Sequence, residues 1–299
     1  MTVTESHTYT CRFCRLASDA SDGSCPHCGA PVDVRTAVSD SGWQEQPAIK
    51  DMARIQFGQS SCQIEGTYVP TADFNLRGEE WVYFSHHSVL WCEPSVQMSP
   101  MAMKGGWNRV RAGLPLVMLQ AQGPGHLALS DDAPGEIVAI PLQPQQAVWV
   151  REHRFLAATG NVAYDWQQPG VWFTTGTGDD QESHFPLGMF VDIFHAEGGP
   201  GLLLLHSPGN SFVRDLAPGE TICIQPTSLL YKDPSVGMQL HLEYPNQGGM
   251  QWSYHRNYSY RQVWLRMWGP GRVAVQSVFE REESSEMITN HSPATLMRW

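Results

Sequence analysis

The segment GPGHLAL at residues 123–129 returns as GPGLLLL at residues 199–205 and as GPGRVAV at residues 269–275. Self-similarity of this kind is the signature of repeat architectures, in which each repeat is one small structural unit. Gly-Pro and Pro-Gly pairs mark tight turns, and the apolar run after each turn has the length of a β-strand. The chain is therefore expected to contain a β-unit that is repeated.

A second motif predicts how the unit continues. The tetrapeptide APGE occurs at residues 133–136 before IVAIP, and at residues 217–220 before TICIQP. Each unit is thus expected to run strand, Gly-Pro-Gly turn, strand, Pro-Gly turn, strand. Because a lone hairpin is only marginally stable in water, the copies must pack together to bury a face. We therefore predict an all-β fold, either a repeat-built β-sandwich or a double-stranded β-helix.

Short runs of β-forming residues, separated by turn residues, extend this pattern from Ile55 onward. Residues 81–84 and 88–91 are expected to form a hairpin across His86 and His87. No stretch sustains a helical period of apolar residues, and at most one helical turn is expected, within residues 101–111. Further strands are predicted at residues 116–121, 126–129, 136–140, 147–151, 162–166, 190–195, 202–206, 220–225, 238–244, 262–268 and 272–279.

The composition favours strands and argues against a nucleic-acid partner. Charged residues make up 16% of the chain while Gly and Pro number 27 and 21, a balance typical of all-β proteins. The net charge of -11 repels phosphate backbones. Lys104, Arg109 and Arg111 form the only dense basic group, and a solvated loop is their expected place. Nucleic-acid binding is therefore not expected.

The N-terminal segment contains a metal-binding pattern. Cys11 and Cys14 form one Cys-x-x-Cys pair, and Cys25 and Cys28 form a second pair after ten intervening residues. Two such pairs allow four thiolates to converge tetrahedrally on one Zn²⁺ in a closed structural site. The intervening residues offer almost nothing to bury, so metal binding must supply the stability. The sequence predicts one structural Zn²⁺ in a module similar to a zinc ribbon.

The other uses of cysteine fit this chain less well. A redox dithiol of the thioredoxin type belongs to a βαβ context, which this sequence lacks, and disulfides do not suit an intracellular protein. Cys62, Cys92 and Cys223 lie within apolar strand patterns and are expected to be buried, reduced thiols. No secretory signal is recognised, and the longest apolar run, at residues 202–205, is too short to cross a bilayer. We therefore expect a cytoplasmic protein without a transmembrane segment.

These patterns divide the chain into four parts. Residues 1–35 form the predicted zinc ribbon, residues 36–54 a polar linker, residues 55–283 the β-domain and residues 284–299 a C-terminal tail. The linker is recognised by its Ser-Asp-Ser-Gly stretch, which is typical of loops.

A set of turn and strand motifs points to a known family. They are AGLPL at residues 112–116, the Gly-Pro-Gly and Ala-Pro-Gly-Glu turns, FLAA at residues 155–158, GPGRV at residues 269–273 and QS at residues 276–277. Over about residues 60–280 the chain resembles the family named "altered inheritance of mitochondria protein 24". The resemblance implies a repeat-built β-sandwich similar in fold to the trp RNA-binding attenuation protein, with a tendency to self-assemble. Its mitochondrial members are linked to inner-membrane organisation, which leaves peripheral membrane association open.

The β-domain offers few groups for catalysis. A cupin-like metal site needs a His-x-His pair and a Glu on neighbouring strands, and no His-x-His pair occurs. His241 and Glu243 would lie on one face of a strand, but we expect them to be ordinary polar groups and predict no second metal. Neither a Gly-x-Ser-x-Gly nucleophile elbow nor a P-loop is present.

Aromatic residues are the more prominent feature of the domain. Residues 252–260 gather one Trp and three Tyr around His255 and Arg256, a composition that suits either a contact surface or core packing. The strand patterns hold six more tryptophans, which are expected to pack the core or an interface: Trp81, Trp91, Trp149, Trp166, Trp264 and Trp268.

We therefore expect a non-enzymatic scaffold that forms homo-oligomers through strand edges and aromatic faces. The zinc ribbon would recruit a protein partner. The alternative is a cupin-like enzyme or small-ligand binder whose β-domain pocket uses His241 with Glu243. RNA binding, a third possibility, would rest on fold analogy alone, and the acidic charge opposes it.

Overall fold

The structure is a computed structural model, and it describes residues 8–10, 17–19, 26–27, 41–45, 54–101, 118–176, 178–242, 261–280, 283–284 and 288–291. Within these residues the chain forms β-strands and three single-turn 3-10 helices, at His86–Ser88, Gly178–Asp180 and Pro226–Ser228. No described segment forms a longer helix, and none could cross a membrane as a helix. The prediction of an all-β fold is confirmed.

The β-domain consists of three consecutive units, and each unit contains two three-stranded sheets that we call its first and second triplets. In unit 1 the first triplet is β6 (Thr71–Leu76), β11 (Gly125–Ser130) and β8 (Val89–Cys92). The second triplet of unit 1 is β7 (Trp81–Ser85), β10 (Met118–Gln122) and β9 (Gln97–Pro100).

Units 2 and 3 repeat this plan. The first triplet of unit 2 is β12 (Gly135–Leu142), β19 (Gly201–Pro208) and β14 (Phe155–Thr159), and its second triplet is β13 (Ala147–Arg151), β18 (Val191–Ala196) and β15 (Val162–Gln167). The first triplet of unit 3 is β20 (Ser211–Leu216), β25 (Gly271–Gln276) and β22 (Leu229–Lys232), and its second triplet is β21 (Thr221–Ile224), β24 (Arg261–Trp268) and β23 (Gly237–Leu242).

Neighbouring units share continuous antiparallel sheets. The second triplet of unit 1 joins the first triplet of unit 2 in a six-stranded sheet, in the order β12-β19-β14-β7-β10-β9. The second triplet of unit 2 joins the first triplet of unit 3 in the order β15-β18-β13-β22-β25-β20, and β3 (Gln44–Glu45) extends that sheet at its edge. We call the two junctions, β14 with β7 and β13 with β22, the internal seams.

The two end triplets have no such junction within the described residues. The first triplet of unit 1 is extended by β5 (Ser60–Glu65) and β4 (Arg54–Phe57) beyond β6, and β8 ends this sheet on the other side. The second triplet of unit 3 runs β21-β24-β23, with β26 (Glu283–Ser284) also paired to β24. The strands β8 and β21 are therefore sheet edges.

The three cores lie between successive sheets, and because neighbouring units share a sheet, the first core also contains Leu156 and Leu204 of unit 2. Three separate clusters of buried side chains form these cores, with Leu127 and Phe84 in the first, Leu203 and Phe194 in the second, and Leu229 and Leu265 in the third. The alternation that builds a half-buried strand is clear in β6, where every second residue, Ala72, Phe74 and Leu76, is buried. The architecture is a stack of four sheets with three cores between them.

The remaining strands lie outside the three units. β1 (Thr8–Thr10) pairs with β2 (Ala17–Asp19), while β16 (Phe173–Thr175) pairs with β17 (Glu182–His184) and with β27 (Ile288–His291). The strands β3 and β27 fall in the segments predicted as linker and tail, and both pair with strands of residues 55–283.

Two details of the predicted unit are wrong. The strands β7 and β8 do not form a hairpin, because the 3-10 turn at His86–Ser88 carries the chain from one sheet to another. The Gly-Pro-Gly turns likewise join the middle strands of the two triplets, β10 to β11, β18 to β19 and β24 to β25, rather than neighbours in one sheet. The two Ala-Pro-Gly-Glu turns are also not equivalent, because the first precedes β12 of a first triplet and the second precedes β21 of a second triplet.

Candidate functional site

The predicted zinc ligands Cys11, Cys14, Cys25 and Cys28 lie outside the described residues. Close to them in the chain, β1 ends just before Cys11, and Pro26 and His27 form an exposed turn between Cys25 and Cys28. The zinc site stays a prediction, as does the role of the aromatic residues at 252–260 and of Lys104, Arg109 and Arg111, which the structure does not describe.

The pair proposed for a cupin-like site cannot be assembled from the described residues. His241 lies in β23 opposite Trp264, where burial and then the charge of Arg266 lower the pKa of its imidazole. Glu243 lies outside the described residues, and His86 and His87 are exposed on their 3-10 turn. Among the described side chains, no three His, Cys, Asp or Glu come together as metal ligands.

An open cleft of about 580 Å³ lies where units 1 and 2 meet. Its acidic lining residues are Glu79 and Glu80, and Glu80 Oε1 accepts a hydrogen bond of 2.9 Å from the backbone N–H of Gln59. Its lining contains no His or Cys: Ile55, Gln56, Phe57, Gly58, Glu79, Glu80, Trp81, Pro141, Thr159, Gly160, Asn161, Pro200, Gly201 and Leu202. The cleft thus lacks the side chains that a cupin-like metal site requires.

The two internal seams differ in the side chains that they bury. At the first internal seam, Tyr83 of β7 lies opposite Ala158 of β14, and Phe84 lies opposite Ala157. Tyr83 is fully buried and donates a 2.8 Å hydrogen bond to the carbonyl oxygen of Val162, and burial raises the pKa of its hydroxyl. The hydroxyl is satisfied, which allows so large a polar side chain to be buried here.

The second internal seam has the same register. Trp149 of β13 lies opposite Lys232 of β22, and Val150 lies opposite Tyr231. The Lys232 ammonium group is 4.0 Å from the centre of the Trp149 ring and donates to the carbonyl oxygens of Val236 at 2.8 Å and Asp233 at 3.2 Å. Burial nevertheless lowers the pKa of Lys232 to about 8.

One rule describes both seams. The third residue of the second-triplet strand faces the fourth residue of the first-triplet strand, so Tyr83 faces Ala158 and Trp149 faces Lys232. The fourth residue of the second-triplet strand faces the third residue of the first-triplet strand.

The edge strand β8 exposes side chains that its counterparts bury. Leu90 is 59% exposed and Trp91 is 45% exposed. The residues at the same two places in β14 and β22 have relative exposures of 3% or less: Leu156, Ala157, Leu230 and Tyr231. Trp91 also stacks on His126, whose Nδ1 lies 3.0 Å from an oxygen of Asp73. An apolar strip therefore remains open along β8.

The edge strand β21 is open in part, since two of its four residues are exposed while Ile224 is buried. Thr221 and Cys223 are exposed, whereas the counterparts of Cys223 in β7 and β13 are the buried Tyr83 and the half-buried Trp149. The prediction that Cys62, Cys92 and Cys223 are all buried holds for Cys62 only, because Cys92 is half-buried and Cys223 is exposed. All three are free thiols. An apolar strand pattern does not show whether the strand ends up at a sheet edge, which is why the prediction failed.

Residues 62–278 match the family model described as "Mitochondrial biogenesis AIM24". The chain belongs to the AIM24 family. This confirms the predicted resemblance for the β-domain. No curated protein matches the sequence.

A solved structure supports the fold of this AIM24 protein. The X-ray crystal structure of a protein from Streptococcus pyogenes matches with a TM-score of 0.54 and 20% sequence identity, over 74% of this chain and 94% of that chain. At this identity the likeness bears on the fold alone. The similarity to the trp RNA-binding attenuation protein and the zinc ribbon stay predictions.

Proposed function

We propose that this AIM24 protein is a non-enzymatic scaffold that assembles into homo-oligomers through its open strand edges. The observation that supports the proposal is that the three-unit stack ends in β8 on one side and β21 on the other. Each strand carries exposed side chains and is unpaired beyond its own triplet within the described residues. Unpaired edges are templates for pairing with another chain, and natural monomers usually blunt them with charge, proline or a covering element.

The edge β8 carries none of those protections among its own residues. Its sequence is Val-Leu-Trp-Cys, without charge or proline. Leucine and tryptophan exposed together at a sheet edge are typical of a surface that another chain covers, and tryptophan is enriched at interface hot spots. The scaffold role accounts for this strip, whereas a catalytic role would leave it unexplained.

The mass of the full chain in solution tests the proposal. Light scattering at micromolar concentration is expected to give a mass well above the 33.4 kDa of a single chain. A uniform single-chain mass across the concentration range would overturn the scaffold proposal.

The second part of the proposal is that Cys11, Cys14, Cys25 and Cys28 hold one structural Zn²⁺ in a module that docks a protein partner. Four thiolates complete a tetrahedral shell and leave no open position for catalysis. Metal analysis is expected to find one zinc per chain, which the paired substitutions Cys11→Ser and Cys14→Ser remove. A metal that persists in this variant would instead support the cupin-like alternative.

A further inference from the structure

We propose that copies of this protein join head to tail, with β21 of one copy adding to β8 of the next in the register of the internal seams. The inference rests on the proposed scaffold function and identifies the surfaces that it uses. The partner is a second copy of this chain, and the junction is a third seam built on the plan of the first two.

The local structure around β8 matches that around β22, its counterpart in unit 3. Ser88 Oγ donates to the carbonyl oxygen of Ser85 at 2.6 Å, and Ser228 Oγ donates to that of Gln225 at 2.7 Å. Each strand is then followed by an acidic residue and Pro-Ser-Val, at residues 93–96 and 233–236.

The turn that follows each strand is repeated as well. The N–H of Val96 donates to the carbonyl oxygen of Glu93 at 3.0 Å, and that of Val236 donates to the carbonyl oxygen of Asp233 at 3.1 Å. The carboxylate of Glu93 accepts a hydrogen bond from the backbone N–H of His126, and that of Asp233 accepts one from the backbone N–H of Arg272. Both donors directly follow a Gly-Pro-Gly turn. The strand β8 is therefore built as a seam strand, although no described strand completes its seam.

The register of the missing seam follows from the rule that describes the other two. The third residue of β21 is Cys223 and the fourth residue of β8 is Cys92, so these two cysteines should face each other. Ile224 should likewise face Trp91. The combined sheet would run β4-β5-β6-β11-β8-β21-β24-β23, with the order of triplets found in the six-stranded sheet.

A second copy is the partner that fits, because the two edges belong to one chain and do not pair with each other in the structure. Joining β21 to β8 is a heterologous contact, since it uses two different surfaces. Contacts of this kind form rings when the rotation closes and open filaments when it does not. The same contact would cover Leu90 and Trp91 as the internal seam covers Leu230 and Tyr231.

The facing cysteines supply a specific test. Directly opposed residues in antiparallel strands have Cα atoms roughly 4.5–5.5 Å apart, within the range that a disulfide spans. Brief treatment of the full chain with diamide, which accepts the two electrons and two protons of the thiols, should link Cys223 of one copy to Cys92 of the next. Peptide mass spectrometry identifies that disulfide among the other cysteines.

Two variants separate the possible arrangements. Neither Cys92→Ser nor Cys223→Ser alone should form a link at these positions, whereas a mixture of the two should form linked pairs that extend no further. A rate about a hundredfold above that of unassociated thiols is expected, because an interface raises the effective concentration to the millimolar range. Cys62 stays as an internal control, since it is fully buried.

A Cys92-to-Cys92 or Cys223-to-Cys223 disulfide in a single variant would show a symmetric contact and overturn the inference. A Cys92-to-Cys223 disulfide formed only within single chains would show that the stack closes on itself, and would overturn it too. An oligomer by light scattering with no disulfide at these positions would overturn the head-to-tail junction while leaving the scaffold proposal standing. A single-chain mass would overturn both.

A second variant checks the junction without using sulfur. Trp91→Lys places a charge on the open strip, and the oligomer is expected to fall to the single-chain mass with its circular dichroism unchanged. The matched control is Tyr68→Lys, at an aromatic residue that is 82% exposed and lies between β5 and β6, outside both edge strands. An oligomer that survives Trp91→Lys as fully as it survives the control would contradict the junction.

Discussion

Lys232 is a buried charged residue at the second internal seam. Its ammonium group is held over Trp149 and between two carbonyl oxygens, and the counterpart of Lys232 on the open edge β8 is Cys92. Sequence patterns could not have identified this lysine as buried, since a lone Lys in a strand is usually solvated.

The pKa of Lys232 leads to a prediction about stability. Burial lowers the pKa of Lys232 from 10.5 to about 8. Between these two pH values the unfolded chain therefore keeps a proton on Lys232 that the folded chain has released. The free energy of unfolding should therefore rise with pH across this window, by at most about 3 kcal/mol, relative to a Lys232→Met variant. Urea unfolding of both proteins at pH 7 and pH 10 measures the difference, and identical pH slopes would contradict it.

Leu156 and Leu90 occupy the same place in β14 and β8 but differ in exposure, at 2% and 59%. Leu156→Ala should lower the free energy of unfolding by about 2–5 kcal/mol, because it leaves a cavity in a packed core. Leu90→Ala should change it by less than about 0.5 kcal/mol in the dissociated chain. Denaturant unfolding at submicromolar concentration compares them, and equal losses would mean that β8 is covered within the single chain.

At the scale of the strands, the sequence predicted where elements lie better than how they pair. Alternating apolar residues and Gly-Pro-Gly turns locate most strands, because both signals are local. The partners of β7 are β10 and β14, which lie far along the chain, and a local pattern cannot specify them. For the same reason two identical Ala-Pro-Gly-Glu turns appeared equivalent although they enter different triplets.

The Gly-Pro-Gly turns are alike in sequence but differ in how closely other chain segments approach them. A Cβ added at Gly123 would overlap the carbonyl oxygen of Leu76, whereas one added at Gly199 would meet only the Asn161 side chain at 3.5 Å. Gly123→Ala should therefore cost about 1–3 kcal/mol through overpacking, and Gly199→Ala should be nearly neutral. Thermal unfolding of the two variants gives the comparison, and equal effects would show that the turns are equivalent.

At the scale of the whole molecule, the register shared by the two internal seams predicts how copies of the chain would join. Repeat proteins gain stability from the interfaces between neighbouring units, and their terminal units usually carry a polar cap. Here unit 1 ends in the apolar strip of Leu90 and Trp91 instead. A further copy supplies the missing neighbour.

Assembly through strand edges could be expected from the sequence, but the edges themselves could not be chosen. That choice needs the sheet order. It shows that β8 and β21 are the counterparts of the seam strands, and that neither has a seam partner among the described strands. Cys92 and Cys223 illustrate this, because the sequence predicted both as buried residues and only the structure places them on edge strands.

Amide hydrogen exchange of the edge strands tests the central claim most directly, because it reports whether their backbone groups are paired. Peptides covering β8 and β21 should be protected at concentrations where the protein is assembled. On dilution to single chains they should lose protection at the amides that do not pair with β11 or β24. Peptides covering β14 and β22 should stay protected in both. Fast exchange in β8 and β21 at every concentration, in a sample that light scattering shows to be oligomeric, would contradict the account.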